Sequence, residues 1–69
     1  MKWLIERTDV TPSKYFARWY GGDQWTEEPM AALQFDTKHA AHQEWIDSLQ
    51  KNPSLKPFED KVEMCEHQF

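Results

Sequence analysis

Alternating apolar and polar positions predict two strands near the start of the chain. Residues 2–8 (KWLIERT) have a short apolar centre between charged flanks, which favours a strand. Residues 14–20 (KYFARWY) are rich in aromatic side chains, which suit a pleated, half-buried surface. The residues between them, 9–13 (DVTPS), have the composition of a loop because Asp, Thr, Pro and Ser compete with regular backbone hydrogen bonding.

A tight turn and a short third element are predicted next. Gly21-Gly22-Asp23 favours a chain reversal, since glycine adopts the positive φ that tight turns require, and Trp25-Thr26 begins the return strand. Residues 30–35 (MAALQF), which follow Pro29, fit either a short strand or one helical turn. We favour the strand, because the start of a helix follows immediately.

One α-helix is predicted over residues 37–51, which contain no Gly or Pro. Asp36 or Thr37 can accept hydrogen bonds from the first free N–H groups, and Asn52-Pro53 ends the helix. Helical spacing places five side chains on the face expected to meet the core. They are Ala41, His42, Trp45, Ile46 and Leu49.

The last segment completes the fold prediction. Residues 53–57 (PSLKP) are expected to be a loop, and residues 58–67 alternate as a half-buried strand. Val62 and Met64 then lie on one side of this strand, and Cys65 and His67 on the other. The order β-β-(β)-α-β predicts a single α+β domain over residues 1–69, with the helix packed on one face of an antiparallel sheet of three to four strands.

The aromatic content exceeds what such a core requires. The chain of 69 residues has four Trp, four Phe and two Tyr. One helix covers only one face of a sheet, so some large aromatic side chains are expected outside the core. Depending on which face is buried, these are Tyr15 and Trp19 or Phe16 and Tyr20. Exposed aromatic clusters are typical of interaction surfaces, and the alternatives left open are a protein partner, a homodimer and internal packing.

The predicted binding surface surrounds the glycine turn. Aromatic anchors with neighbouring charges would occlude or redirect a partner protein without catalysing a reaction, and a structural homodimer or assembly subunit using the same aromatic face is the alternative. The residues assigned to this surface are Tyr15, Arg18, Trp19, Tyr20, Asp23, Trp25, Glu27 and Glu28.

Charge and cysteine content narrow the class of protein. The net charge of −4 and the scattered Lys and Arg residues argue against nucleic-acid binding, while an acidic mimic of DNA is a minor alternative. The lone Cys65 excludes an intramolecular disulfide framework. No apolar run is long enough for a membrane span or a signal peptide, so we expect a cytoplasmic protein.

Metal binding and catalysis are not expected. His39 and His42 on the helix and Cys65 and His67 on the last strand are zinc-type ligands, but the two pairs are expected on opposite sides of the sheet. His67 shares the face of Cys65, but the acidic neighbours Glu63 and Glu66 would raise the pKa of the thiol, and no third group is present to orient a base. We therefore predict no enzyme activity, no metal site and no cofactor.

Three short motifs follow one another through the middle of the chain. Tyr15-Phe16-X-X-Trp19, then Trp25-Thr26, then Ala32-X-X-Phe35-X-Thr37-X-X-Ala40 precede a helix and a closing strand. This pattern, over about residues 14–66, resembles small open reading frames common in bacteriophage genomes and prophages. The resemblance implies an accessory or host-interference protein whose partner is a host protein, and it supplies no catalytic residues.

Overall fold

The computed structural model describes residues 1–17 and 24–68, which form a four-stranded antiparallel sheet with an α-helix on one face. This confirms the predicted α+β class. The strand order is β3-β2-β1-β4, so β3 and β4 lie at the edges. The strands are β1 (Lys2–Arg7), β2 (Lys14–Phe16), β3 (Trp25–Thr26) and β4 (Val62–His67), the α-helix is α1 (Lys38–Lys51), and 3₁₀ helices span Pro29–Ala31 and Pro53–Phe58.

The central strand β1 fixes the two faces of the sheet. It pairs with β4 along its whole length, from Lys2 opposite His67 to Arg7 opposite Val62. Directly opposed residues share a face, and successive residues alternate between faces. Ile5 therefore points toward α1 with the core residues, whereas Leu4 points to the opposite side, and both are fully buried.

The segment before the helix corrects one prediction. Residues 30–35 do not form the expected strand: Pro29–Ala31 is a 3₁₀ helix. Only Phe35 makes a β-bridge, exchanging two backbone hydrogen bonds with Trp3 at 2.7 and 2.9 Å. Among the described residues β2 pairs with β1 at Glu6 and Arg7, and further along the same side of β1 Trp3 pairs with Phe35 instead. The second strand is described as Lys14–Phe16, and residues 18–20 of its predicted range lie outside the described residues.

The helix begins where the sequence indicates, but its surroundings differ. Thr37 is the N-cap, and its Oγ1 accepts a hydrogen bond from the N–H of Ala40 at 3.0 Å. Beyond the helix, the Asn52 side chain accepts from the N–H of Ser54 and opens the 3₁₀ helix Pro53–Phe58. A loop was predicted there, and β4 consequently starts at Val62, four residues later than expected.

The buried stripe of α1 also differs from the predicted one. Ala41 and Trp45 are buried as expected, but the third buried position is Ser48, while Ile46 is 37% exposed. The Ser48 hydroxyl can be buried because it donates a hydrogen bond to Glu44 Oε2 at 2.8 Å. The helix is thus rotated so that His42 and Ile46 face solvent.

An aromatic cluster forms the core between the sheet and α1. The rings of Phe16, Trp25 and Trp45 pack with centroid distances of 5.5 to 5.8 Å, and Phe58 lies 5.6 Å from Trp25. The Arg7 guanidinium covers this cluster, 4.2 Å from the Phe58 ring and 5.4 Å from the Trp25 ring. Much of the unusual aromatic content is therefore structural.

Candidate binding surface on the outer sheet face

The face of the sheet opposite α1, called the outer face below, carries a compact set of polar and aromatic side chains. Strand register brings them together, because residues paired across β1, β2 and β4 project on the same side. Glu6 lies opposite both Tyr15 and Glu63, and Leu4 lies opposite Cys65. The outer face is defined by Leu4, Glu6, Tyr15, Glu63, Cys65 and His67.

Two rings meet across the middle of this face. Tyr15 on β2 and His67 on β4 flank β1, and their ring centroids are 5.3 Å apart in an edge-to-face arrangement. Tyr15 is opposite Glu6 and His67 is opposite Lys2, so the rings converge above the residue between these two, Leu4. Leu4 is fully buried on this side of the sheet, away from the helix, and register places it between the two ring-bearing positions.

The outer face is acidic. Glu6 and Glu63 oppose each other directly across β1 and β4. Lys2 shares this face by register, but its ammonium group pairs with Asp36 and holds the pKa of that carboxyl below its usual range. A binding partner would therefore meet two carboxylates beside an aromatic pair, which favours basic and aromatic groups on the partner.

Cys65 contributes a neutral thiol to this face. Burial, a hydrogen bond donated to the Glu6 carboxylate and the negative charges of Glu6 and Glu63 raise the pKa of Cys65 to about 12. Burial, followed by the charge of Glu6, also raises the pKa of Tyr15. Both groups stay protonated near neutral pH, so they act as hydrogen-bond donors and Cys65 is a poor nucleophile.

The predicted binding residues are distributed unevenly. Tyr15 is half-buried on the outer face, with Thr26 as its β3 neighbour, and the exposed Glu27 and Glu28 follow directly after Thr26. The prediction that Trp25 belongs to the binding surface is wrong. Its side chain is 8% exposed and packs in the core, because it lies opposite Phe16 on the helix side of the sheet. The remaining predicted residues lie outside the described residues. They are Arg18, Trp19, Tyr20 and Asp23.

The structure also answers which strand face is buried. Phe16 is 1% exposed and points to the core, which leaves Tyr15 on the outer side. The sequence did not indicate that Glu6, Glu63 and His67 would surround Tyr15. Alternation within each strand gave their side of the strand, but only the register across β1 brings them together.

The candidate zinc ligands lie far from a common centre. Cys65 and His67 are on the outer face, whereas His39 and His42 belong to α1 on the opposite side of the sheet. Within residues 1–17 and 24–68, no three His, Cys, Asp or Glu side chains are grouped so that they could hold a metal ion. The described helices also include none that is long and apolar enough to traverse a lipid bilayer.

No protein-family model, curated protein or solved structure matches this chain at a significant level. The evidence for a function is therefore the outer face, with its charges and its exposed side chains.

Proposed function

We propose that this chain is a non-enzymatic protein-binding module that docks its outer face onto another protein and blocks or redirects it. The observation that carries the proposal is the Tyr15–His67 ring pair set beside the opposed carboxylates of Glu6 and Glu63. Aromatic groups supply most of the binding energy in many interfaces, and surrounding charges select the partner and its orientation.

The sequence after Tyr15 supplies further candidate anchors. Arg18, Trp19 and Tyr20 follow Tyr15 three to five positions later and are residue types that are enriched among binding hot spots. Glu27 and Glu28 add exposed acidic groups beside the β3 end of the sheet. Together these residues favour a partner with a basic patch into which an aromatic side chain can insert.

The chemistry of the face favours binding over catalysis. A nucleophilic cysteine requires a lowered pKa and a neighbouring base, whereas the pKa of Cys65 is raised to about 12 by burial and by adjacent carboxylates. The Glu6 carboxylate accepts the thiol hydrogen bond and so stabilises the protonated form. These groups are arranged to keep the thiol neutral.

The resemblance to small phage reading frames suggests the biological setting. In that setting the partner is a protein of the bacterial host, met in the host cytoplasm, and the effect is steric occlusion of a surface that the host protein needs. A small acidic domain with a preformed sheet suits this role, because a rigid surface loses little conformational entropy on binding.

Affinity capture from the host lysate tests the proposal with matched variants. Trp19→Ala removes a predicted anchor, and Glu63→Lys reverses a charge at the centre of the outer face. Asp47→Lys is the control, since it makes the same charge change on the exposed surface of α1. Glu63→Lys should fold well, because it replaces a like-charge pair with an ion pair opposite Glu6.

We expect the wild type and Asp47→Lys to capture the same protein in similar amounts by quantitative mass spectrometry. Trp19→Ala and Glu63→Lys should each reduce the captured amount by at least about tenfold, the loss expected for a hot-spot residue. Capture that is equal for all four proteins would overturn the assignment of this face.

A further inference from the structure

The outer edge of β4 offers a row of backbone groups for strand pairing. Trp3 exchanges its backbone hydrogen bonds with Phe35, on the side of β1 away from β4. Because successive residues of a strand direct their N–H and C=O groups to opposite sides, the residues before and after Trp3 direct theirs toward β4. Thr8 continues this alternation, donating to the carbonyl of Lys61. The β4 residues between the bonded ones direct their N–H and C=O groups away from the described sheet. They are Val62, Met64 and Glu66.

A pocket with basic side chains lies beside this edge. It has a volume of about 490 Å³ and is lined by Lys38, His39, His42 and Met64. A second pocket of about 440 Å³ continues it along α1, since His42 lines both. A strand added next to β4 would project its helix-side residues into this space, because opposed residues of paired strands share a face.

The β4 strand of a second copy of the chain suits this edge and the pocket beside it. Its helix-side residues include Glu66, an exposed carboxylate that can pair with Lys38 and the two imidazoles. We propose that two copies of the chain associate through antiparallel pairing of their β4 strands, centred on Cys65, with Glu66 of each copy in the basic pocket of the other. The two sheets then form one sheet with eight described strands.

Several registers would pair most of β4 with its copy, and the one centred on Cys65 has the most favourable arrangement of charges. Centring the pair on Glu63 or on Glu66 places a carboxylate directly opposite its own copy, which is unfavourable. Centring it on Met64 places Lys61 opposite His67, with no opposite charge between them. Only the register centred on Cys65 places Glu63 opposite His67 on the outer face and Glu66 opposite Met64 beside the pocket.

The two-fold symmetry doubles each contact. An exposed ion pair contributes about 0.2–1 kcal/mol to association, so a single pair would not hold two copies together. Here each Glu66 contact occurs twice and accompanies a ladder of backbone hydrogen bonds along a six-residue strand. The outer faces of the two copies then become continuous, which leaves the surface assigned to a partner protein accessible.

Sedimentation equilibrium on the full chain tests the proposal. We expect a monomer–dimer equilibrium within 1 µM to about 1 mM, the range in which weak complexes are measured. Glu66→Lys should raise the dissociation constant at least about tenfold, since it places a cation against the basic pocket in both copies. The double variant Lys38→Glu/Glu66→Lys should restore association.

The control is Asp47→Lys, which makes the same charge change on an exposed residue of α1 whose pocket is lined by Phe16 and Gln24 and by no β4 residue. It should leave the dissociation constant within about twofold of the wild type. A chain that remains monomeric to about 1 mM, or a dimer insensitive to Glu66→Lys, would overturn the proposal. So would a monomer whose β4 edge binds an unrelated alternating Thr–Glu peptide in an NMR titration.

Disulfide cross-linking tests the register separately. In the proposed register the Cα atoms of the two Cys65 residues are opposed at about 4.5 Å, within the range for a disulfide. Air with copper-phenanthroline should remove two protons and two electrons from the thiol pair, with dioxygen as oxidant, and give a covalent dimer. Glu63→Cys in a Cys65→Ser background should not cross-link, and an equal or greater yield from that variant would contradict the register.

Discussion

Replacing Leu4 with alanine tests whether the outer face has a buried centre. Leu4 has no exposed surface although it points away from α1, and on the outer face register places it between Glu6, which pairs with Tyr15, and Lys2, which pairs with His67; we infer that the two rings cover it. Leu4→Ala removes about three carbon groups from a packed site, a change that destabilises proteins by about 2–5 kcal/mol. We expect the lower part of this range, about 2.5–3 kcal/mol, because the two rings can settle partly into the gap.

This loss is large for a small domain. At about 0.05–0.15 kcal/mol per residue, the whole chain has a free energy of unfolding of roughly 3–10 kcal/mol. The midpoint of thermal unfolding should therefore fall by about 10–20 °C. Urea titrations followed by circular dichroism and by tryptophan fluorescence measure the change, with equal m-values as the criterion that the unfolded state is unaltered.

Met30→Ala is the matched control, because Met30 is apolar but 70% exposed and should change the free energy of unfolding by less than about 0.5 kcal/mol. Tyr15→Phe retains the ring above Leu4 and should also be nearly neutral. If Leu4→Ala lowers the free energy of unfolding by less than about 1 kcal/mol, Leu4 is not packed beneath the ring pair.

Four further predictions concern other contacts of the fold. Arg7→Gln should lower the free energy of unfolding by about 1–2 kcal/mol in urea titrations, since it removes a cation stacked on two core rings. The hydrogen bond from Arg7 lowers the pKa of Asp9. The ionised Asp9 side chain therefore contributes its full stabilisation of the fold above the ordinary pKa of 3.8, and this contribution is lost as the pH falls further. The difference in the free energy of unfolding between wild type and Asp9→Asn should therefore become smaller below pH 3.8. Folded Cys65 should react with Ellman's reagent at pH 8 about thirtyfold more slowly than the urea-unfolded chain, and Glu6→Gln should speed the folded reaction. Thr37→Ala should cost about 1 kcal/mol in thermal or urea unfolding through loss of the helix N-cap.

The thiol and helix-cap predictions each have a matched comparison. Glu66→Gln removes a carboxylate next to Cys65 in sequence but on the other face of β4, so it should leave the thiol reaction rate nearly unchanged. Thr37→Ser keeps the capping oxygen and should retain most of the stability. Equal thiol rates in the folded and unfolded chains, or equal losses for Thr37→Ser and Thr37→Ala, would contradict the physical causes given.

Features that depend on residues within one element could be predicted from the sequence. The helix cap could be narrowed to Asp36 or Thr37, because both carry a side-chain oxygen just before a stretch without Gly or Pro, and the structure shows that it is Thr37. Alternation in Val62–His67 separated the core side from the outer side of β4. These features depend on neighbours within one element, so a single sequence contains them.

Features that depend on distant neighbours could not be predicted in the same way. Trp25 looked like an anchor, but pairing with Phe16 turns it into the core. Ile46 is more hydrophobic than Ser48, yet Ser48 is the buried residue because Glu44 satisfies its hydroxyl. The acidic surroundings of Tyr15 likewise arise from the register of three strands, which no local pattern encodes.

The most direct test of the proposed function is an NMR titration of the ¹⁵N-labelled chain with the protein captured from the host. We expect the largest shift changes and broadening at Glu6, Tyr15, Glu63 and His67, with little change at the α1 residues Gln43 and Asp47 on the opposite side of the sheet. Changes centred on α1, with the outer-face signals unaffected, would show that the outer face is not the binding surface.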